Sequence, residues 1–198
     1  MKTFLRVLIV ILLPAAALAE GAGARYGNSG FSEQTTNRLT WTLTRGVAAC
    51  RQALPDVYRY DCYRATYADA VKDLKFNRDY APARAVLAQV EQALAATITR
   101  YADPAAPRAR QGFSRYRAIR PEALPAAREA FVAALEQAET QLLRSPDDGR
   151  GHFQRIAAAL ETNKVLLRSA LLLPHAAPIQ WAGLLPGRRA SAGPARLT

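Results

Sequence analysis

The sequence predicts an all-α protein, an antiparallel bundle of four to five helices with a flexible N-terminal leader and a disordered C-terminal tail. Three observations support this fold class. Apolar residues recur at helical spacing in five stretches of the chain. No stretch has the alternating, β-branched pattern that is typical of a sheet. Two links between predicted helices, at residues 54–56 and 145–149, are so short that the helices they join should lie side by side.

The first two helices are predicted on either side of Pro55. The first covers residues 31–54 and can be capped by Ser32, whereas the second covers residues 56–75 and opens at Pro55 or Asp56. Proline is tolerated in the first turn of a helix, and a carboxylate there suits the positive end of the helix. The apolar positions at helical spacing are Leu39, Leu43, Val47, Cys50 and Leu54 in the first helix, and Val57, Tyr60, Tyr67, Val71 and Leu74 in the second.

Three further helices are predicted at residues 81–101, 122–144 and 151–173. Pro82 fits the first turn of the third helix, and the turn sequence Ser-Pro-Asp-Asp-Gly separates the fourth helix from the fifth. Prolines and Gly112 argue against a continuous helix between the third and the fourth, so we expect a linker there. We expect helices one to three to pack as one layer against helices four and five.

The first 19 residues have the layout of a secretory signal peptide. A basic start is followed by an apolar run at residues 7–13 and by small residues, Ala17 and Ala19, before a cut ahead of Glu20. The apolar run is well short of the ~20 residues that a membrane-spanning helix needs. A lipid anchor would require a cysteine directly after the cut, where Glu20 stands. We therefore expect a periplasmic or secreted protein with no transmembrane anchor after signal cleavage.

The sequence accordingly divides into four segments. Residues 1–19 are the signal peptide, 20–30 a glycine-rich flexible leader, 31–173 the helical-bundle domain and 174–198 a tail rich in proline, glycine and arginine. The tail has four prolines and no helical period, so we expect it to be mostly disordered.

The two cysteines, Cys50 and Cys62, are predicted to form a structural disulfide. Exported proteins with two cysteines usually pair them. A redox pair would need the closer C-x-x-C spacing, and a zinc site would need ligands that His152 and His175 are not spaced to supply. If the chain turns at Pro55, both cysteines lie at nearly the same height on antiparallel helices. Such a bridge would stabilise the fold by about 3 kcal/mol.

Positive charge is the main compositional bias of the chain. The formal net charge is +11, and the basic residues are 23 arginines and 4 lysines, a ratio that a GC-rich genome also produces without any ligand. An arginine-rich run after the third helix contains Arg108, Arg110, Arg115, Arg117 and Arg120, with Phe113 and Tyr116 interleaved. Because guanidinium groups suit phosphate and carboxylate, this run is a candidate site for anionic envelope polymer or lipid. The alternative is a solvated basic linker. Nucleic acid is not an expected partner of an exported protein.

Aromatic residues offer a second candidate surface. Tyr60, Tyr63 and Tyr67 share one face of the second helix and could present an aromatic surface to a partner protein. The alternative is that they pack at the edge of the bundle with their hydroxyls reaching water. Trp181, in the tail sequence Ile-Gln-Trp-Ala-Gly-Leu-Leu, could dock on a partner or fold back over a groove.

No catalytic, metal or cofactor site is predicted. Glu122, Glu129 and Glu136 share one helix face, where they cannot face each other across a substrate, and no Glu-x-x-His motif occurs. The chain has no motif of a hydrolase nucleophile, a P-loop, a dinucleotide site, a zinc protease or covalent haem, and its only methionine is Met1.

The sequence therefore favours an exported, non-catalytic protein that acts by binding another envelope protein. The alternative function is binding of anionic envelope polymer or lipid through the arginine-rich run. An enzyme with an unrecognised site is the third hypothesis, because general acid and base groups do not cluster in the sequence.

Overall fold

The computed structural model describes residues 30–145 and 148–169. The predicted signal peptide, nearly all of the predicted leader and the whole predicted tail lie outside the described residues. The described chain is an all-α bundle with one small hairpin. Its elements are α1 (Glu33–Ala53), α2 (Asp56–Asp73), α3 (Ala81–Arg100), β1 (Ala109–Gln111), β2 (Ser114–Tyr116), a short 3-10 turn (Pro121–Ala123), α4 (Leu124–Leu143) and α5 (Arg150–Ser169).

Local sequence signals account for where the helices begin and end. The Ser32 hydroxyl caps α1 by accepting a hydrogen bond from the Thr35 N–H at 3.1 Å. Pro55 separates α1 from α2, since it cannot donate the hydrogen bond that would continue α1. Pro82 and Pro125 occupy the first turns of α3 and α4, where the missing N–H is not needed.

The five helices form a closed ring in which each helix contacts the next and α5 returns to α1. Consecutive helices are antiparallel, so in a ring with an odd number of helices the closing pair must be parallel. Thr36 Oγ1 lies 2.7 Å from His152 Nδ1 near the start of both helices, and Arg51 donates to the Leu166 carbonyl at 2.9 Å near their ends. These contacts show that α1 and α5 run in the same direction.

The core lies inside this ring, and α2 contributes aromatic side chains to it. Tyr67 is fully buried, and its hydroxyl accepts a hydrogen bond at 3.1 Å from Asn163. The same amide donates to the Leu43 carbonyl at 3.3 Å, so one polar side chain of α5 links α1 and α2. Burial raises the pKa of Tyr67, which keeps its hydroxyl neutral inside the core.

The linker between α3 and α4 contains a β-hairpin, which the sequence analysis did not predict. β1 and β2 are antiparallel, with Arg110 directly opposite Arg115. The turn has two residues, and its first, Gly112, has φ of 58°, a conformation that glycine adopts at little cost. Each strand has only three residues, too few for an alternating pattern to be recognised. The predicted all-α class is confirmed, and the predicted linker contains this small hairpin.

Among residues 30–145 and 148–169, no helix combines the length and the apolar composition that crossing a lipid bilayer requires.

Candidate functional site

The predicted disulfide is present and joins α1 to α2. Cys50 and Cys62 are bonded, with their Cα atoms 5.8 Å apart, and both side chains are buried. Next to the bridge, Gly46 lets the two helices approach closely, because a Cβ at this position would overlap the Thr66 side chain. The bridge is a structural disulfide that links two neighbouring helices. A disulfide fits an oxidising compartment outside the cytoplasm.

The three tyrosines predicted to form a partner-binding face lie in the core. Tyr60, Tyr63 and Tyr67 are 5%, 2% and 0% exposed. The Tyr63 ring stacks on Phe131 of α4 with 5.4 Å between ring centroids, and Tyr67 meets the edge of the same phenyl ring. The prediction of an exposed aromatic face is therefore wrong. Its physical reason is that α2 contacts α1, α3 and α4, so the face that carries these rings is covered.

Trp181, which was predicted to contact a partner, lies outside the described residues. The tryptophan that the structure describes is Trp41, and it is exposed. Trp41 of α1 is 64% exposed and stands between two grooves of about 430 and 460 Å³, one between α1 and α2 and the other between α1 and α5. Its side chain is therefore not packed between helices.

The predicted arginine-rich site is the hairpin and its flanks, and its five arginines have different surroundings. Arg108, Arg110, Arg115 and Arg120 are exposed, whereas Arg117 is half-buried. Arg120 lies 3.6 Å from the carboxylate of Glu122. Within the described part of the chain, no carboxylate pairs with Arg108, Arg110 or Arg115. We call these three residues, together with Phe113, the basic hairpin.

Arg117 joins the hairpin to α2, and part of its side chain remains exposed. Its backbone N–H donates to Asp61 Oδ2 at 2.8 Å, and its guanidinium Nε lies 3.8 Å from the same oxygen. Asp61 is only 3% exposed, and its other carboxylate oxygen accepts a 2.8 Å hydrogen bond from Arg64. The N–H of Ile119 adds a 2.9 Å bond to the Val57 carbonyl. The hairpin is thus held against the first two turns of α2.

Phe113 is a candidate site residue that the sequence pattern marks only as an aromatic residue among arginines. It follows Gly112 in the two-residue turn, so its ring stands at the tip of the hairpin, and it is fully exposed. Arg110 and Arg115 flank it as a directly opposed pair. The signal that could have located it is the glycine before it, since a two-residue turn with glycine in first position favours a β-hairpin.

His152 is held by structural contacts. His152 is stacked on Phe31, with ring centroids 5.3 Å apart, and contacts Thr36, which is the arrangement of a packed histidine at a helix start. In the part of the chain that the structure describes, no three His, Cys, Asp or Glu side chains are grouped closely enough to hold a metal ion. Comparison of the chain with family models, with curated proteins and with solved structures finds no match.

Proposed function

We propose that this protein is exported and binds anionic lipid surfaces of the cell envelope through the basic hairpin. The observation that carries the proposal is the arrangement of Phe113 between Arg110 and Arg115 at the tip of an exposed hairpin. The disulfide and the signal-like N-terminus support an extracytoplasmic location.

Charge favours an anionic partner at this position. Arg110 and Arg115 are directly opposite each other, and like charges in such a pair destabilise a hairpin when no anion lies between or beside them. Arg108 adds a third positive charge at the start of the same segment. Lipid phosphates would relieve this repulsion, and each basic residue near an anionic lipid surface contributes about 1 kcal/mol of binding free energy.

The exposed ring distinguishes a lipid surface from a soluble polyanion. Phe113 gains nothing from a fully hydrated polymer, but it loses contact with water if it enters the region between lipid headgroups and acyl chains. Complete burial of such a side chain is worth about 1.5 to 3 kcal/mol. An apolar tip between two cationic side chains therefore suits a membrane surface better than an envelope polymer.

The protein-partner hypothesis has less support than the lipid-binding hypothesis. Its tyrosine face is in the core, and Trp181 lies outside the described residues. The lipid-binding hypothesis instead relies on side chains that are exposed, although Arg117 and Arg120 no longer belong to the group that contacts the ligand.

Sedimentation with lipid vesicles tests the proposal. Binding of the mature protein to vesicles containing phosphatidylglycerol should exceed binding to phosphatidylcholine vesicles and should weaken as salt is added. Replacing Arg108, Arg110 and Arg115 by alanine should weaken binding by about a hundredfold, which corresponds to about 3 kcal/mol. Phe113→Ala should weaken it by about tenfold, because only part of the ring is expected to enter the lipid.

The opposite end of the bundle provides a matched control. Lys72, Lys75 and Arg78 are exposed basic residues around the exposed Phe76, but Asp73 and Asp79 are interspersed with them. Alanine at these three basic positions removes the same charge and should change vesicle binding by much less.

Equal losses in the two triple variants would mean that only net charge matters. If Phe113→Ala has no effect on vesicles and a soluble polyphosphate binds equally well, the ligand is a polymer. Salt-insensitive capture of a single protein would support the partner hypothesis instead.

A further inference from the structure

A small cavity lies at the end of the bundle where α1 ends and where α2 and α4 begin. Its volume is about 120 Å³, well below the ~300–1,000 Å³ of pockets for drug-sized ligands. Leu124 and Leu167 form its apolar wall. The polar side chains that line it are Arg51, Asp56, Arg59, Tyr60, Tyr63 and Arg128. The cavity can hold a few water molecules or one small ionic group.

Positive charge in this cavity exceeds negative charge. Three guanidinium groups face one carboxylate, Asp56, which leaves a formal charge of +2. Asp56 forms an ion pair with Arg59, so Arg51 and Arg128 have no carboxylate partner among the described residues. All three arginines are half-buried, and like charges that are partly removed from water repel each other more strongly than exposed ones. An anion in the cavity would offset this repulsion.

Hydrogen bonds hold two of the guanidinium groups in place and leave donors for a ligand. Arg51 donates to the Leu166 carbonyl at 2.9 Å, and Arg59 donates to the Leu54 carbonyl at 2.9 Å. A guanidinium group has five N–H donors, so each of these side chains can make further hydrogen bonds.

The hydroxyl of Tyr63 supplies a neutral donor. Tyr63 is nearly buried, and its hydroxyl has no hydrogen-bond partner within residues 30–145 and 148–169. Burial raises the pKa of Tyr63 above its ordinary value. Burial also raises the pKa of Tyr60 to about 12, although the nearby Arg128 acts in the opposite direction. Both hydroxyls are therefore protonated at neutral pH. The Tyr60 hydroxyl donates to the Leu124 carbonyl at 3.5 Å, whereas the Tyr63 hydroxyl is able to donate to a ligand.

We infer that this cavity binds a phosphoryl group through Arg51, Arg59, Arg128 and the hydroxyl of Tyr63. A phosphate monoester carries about −1.5 to −2 charges at neutral pH, which matches the charge excess of the cavity. The donors approach from α1, α2 and α4, an arrangement that suits a tetrahedral oxyanion better than a planar carboxylate. Helices α2 and α4 begin beside the cavity, and their N-terminal ends add partial positive charge to it.

This site is separate from the basic hairpin and goes beyond the proposed lipid binding. At 3.6 residues per turn, Asp56, Tyr60 and Tyr63 lie on one face of α2, and Val57 and Asp61, which contact the hairpin, lie roughly 110° farther around the helix. A ligand in the cavity therefore does not contact the hairpin tip.

Isothermal titration of the mature protein with inorganic phosphate at low salt tests the inference. One phosphate per chain should bind, and Arg128→Gln should weaken binding by about tenfold or more, since a hydrogen bond to a charged group is lost. Tyr63→Phe keeps the ring that stacks on α4 and should also weaken binding. Arg38→Gln is the matched control, because Arg38 is exposed on α1 and pairs with Asp73 at 3.8 Å, outside the cavity.

The possible results separate the two sites and the source of the phosphate. Sulfate should compete with phosphate and acetate should not; equal competition by acetate would overturn the assignment to a tetrahedral anion. Glycerol phosphate binding with the same dependence on Arg128 assigns the site to a lipid headgroup, and binding of inorganic phosphate alone assigns it to free phosphate. The inference fails if the native protein binds no phosphate, if both cavity variants bind normally, or if the alanine variant of Arg108, Arg110 and Arg115 loses phosphate binding.

Discussion

Replacing Asp61 by asparagine should loosen the hairpin while leaving the helices in place. The Asp61 carboxylate is 3% exposed and accepts 2.8 Å hydrogen bonds from the Arg64 guanidinium and from the Arg117 backbone N–H. The amide has nearly the same volume, so no cavity forms. It carries no charge, however, and its nitrogen donates instead of accepting, so the asparagine can keep only one of the two hydrogen bonds.

The magnitude follows from these two hydrogen bonds. A hydrogen bond to a charged group contributes about 1.5–3 kcal/mol and a neutral one about 0.5–1.5 kcal/mol. Asp61→Asn should therefore lower the free energy of unfolding by about 3 kcal/mol, about 2 kcal/mol from the hydrogen bond that is lost and about 1 kcal/mol from the one that is weakened. Arg64 retains an ion pair with Glu91 at 3.3 Å, which limits the loss on that side. Arg117 retains no other carboxylate among the described residues, so the effect should be largest at the end of β2.

Urea denaturation and amide hydrogen exchange measure the two parts of this prediction. The unfolding midpoint of Asp61→Asn should fall below that of the native protein. Relative to the native protein, hydrogen exchange should accelerate more at the amides of Arg117 and Ile119 than at those in the middle of α3. Asp69→Asn is the matched control, because Asp69 is an exposed residue of the same helix and should change stability by no more than about 0.5 kcal/mol. If Asp61→Asn unfolds like the control and the Arg117 amide stays protected, the buried carboxylate does not hold the hairpin.

Three further predictions concern the bundle itself. Changing Cys50 and Cys62 to alanine should lower the free energy of unfolding by about 3 kcal/mol, since the bridge closes a loop with a sequence separation of 12. The thermal midpoint should fall by roughly 10 °C. If a reductant does not lower the midpoint of the native protein by a similar amount, this reasoning is contradicted. Gly46→Ala should destabilise by about 1–3 kcal/mol, because the added methyl overlaps a threonine of α2, whereas Gly151→Ala, with open space around it, should be neutral or slightly stabilising in the same thermal scan. Alkali should unfold the protein from about pH 10 upward. The pKa of Tyr60 is 10.0 when the side chain is exposed and about 12 in the fold. Tyr60 therefore loses its proton at lower pH in the unfolded chain, and the free energy of unfolding falls as the pH rises from 10 to about 12. Tyrosinate absorbance should then rise together with the loss of helical circular dichroism, and ionisation well before unfolding would refute the burial argument.

The helices could be predicted from the sequence because their ends depend on local chemistry. Ser32, Pro55 and Pro82 act within one turn of their own position, so no distant residue needs to be known. The disulfide was predictable for the same reason, since a turn at Pro55 brings Cys50 and Cys62 together.

The site residues were harder to predict because their surroundings come from distant parts of the chain. The tyrosines of α2 read as an amphipathic face, and only the position of α2 among three neighbouring helices shows that this face is buried. The sequence pattern places Arg117 with the exposed arginines, but its backbone N–H binds the buried carboxylate of Asp61, which lies 56 positions away in the sequence. The phosphate-binding cavity combines Arg51, Arg59 and Arg128 from three helices, and no spacing in the sequence connects them.

The parallel contact between α1 and α5 has a consequence for folding. Thr36 and His152 are 116 positions apart, so the final interface depends on two segments that are synthesised far apart in time. Contacts at such sequence separation slow folding, because the entropy of closing the chain must be overcome before they form. The Cys50–Cys62 bridge closes only a short loop and can form as soon as α2 has emerged. We expect α1 and α2 to form an early disulfide-linked intermediate. Its apolar surface stays exposed until α5 packs against α1.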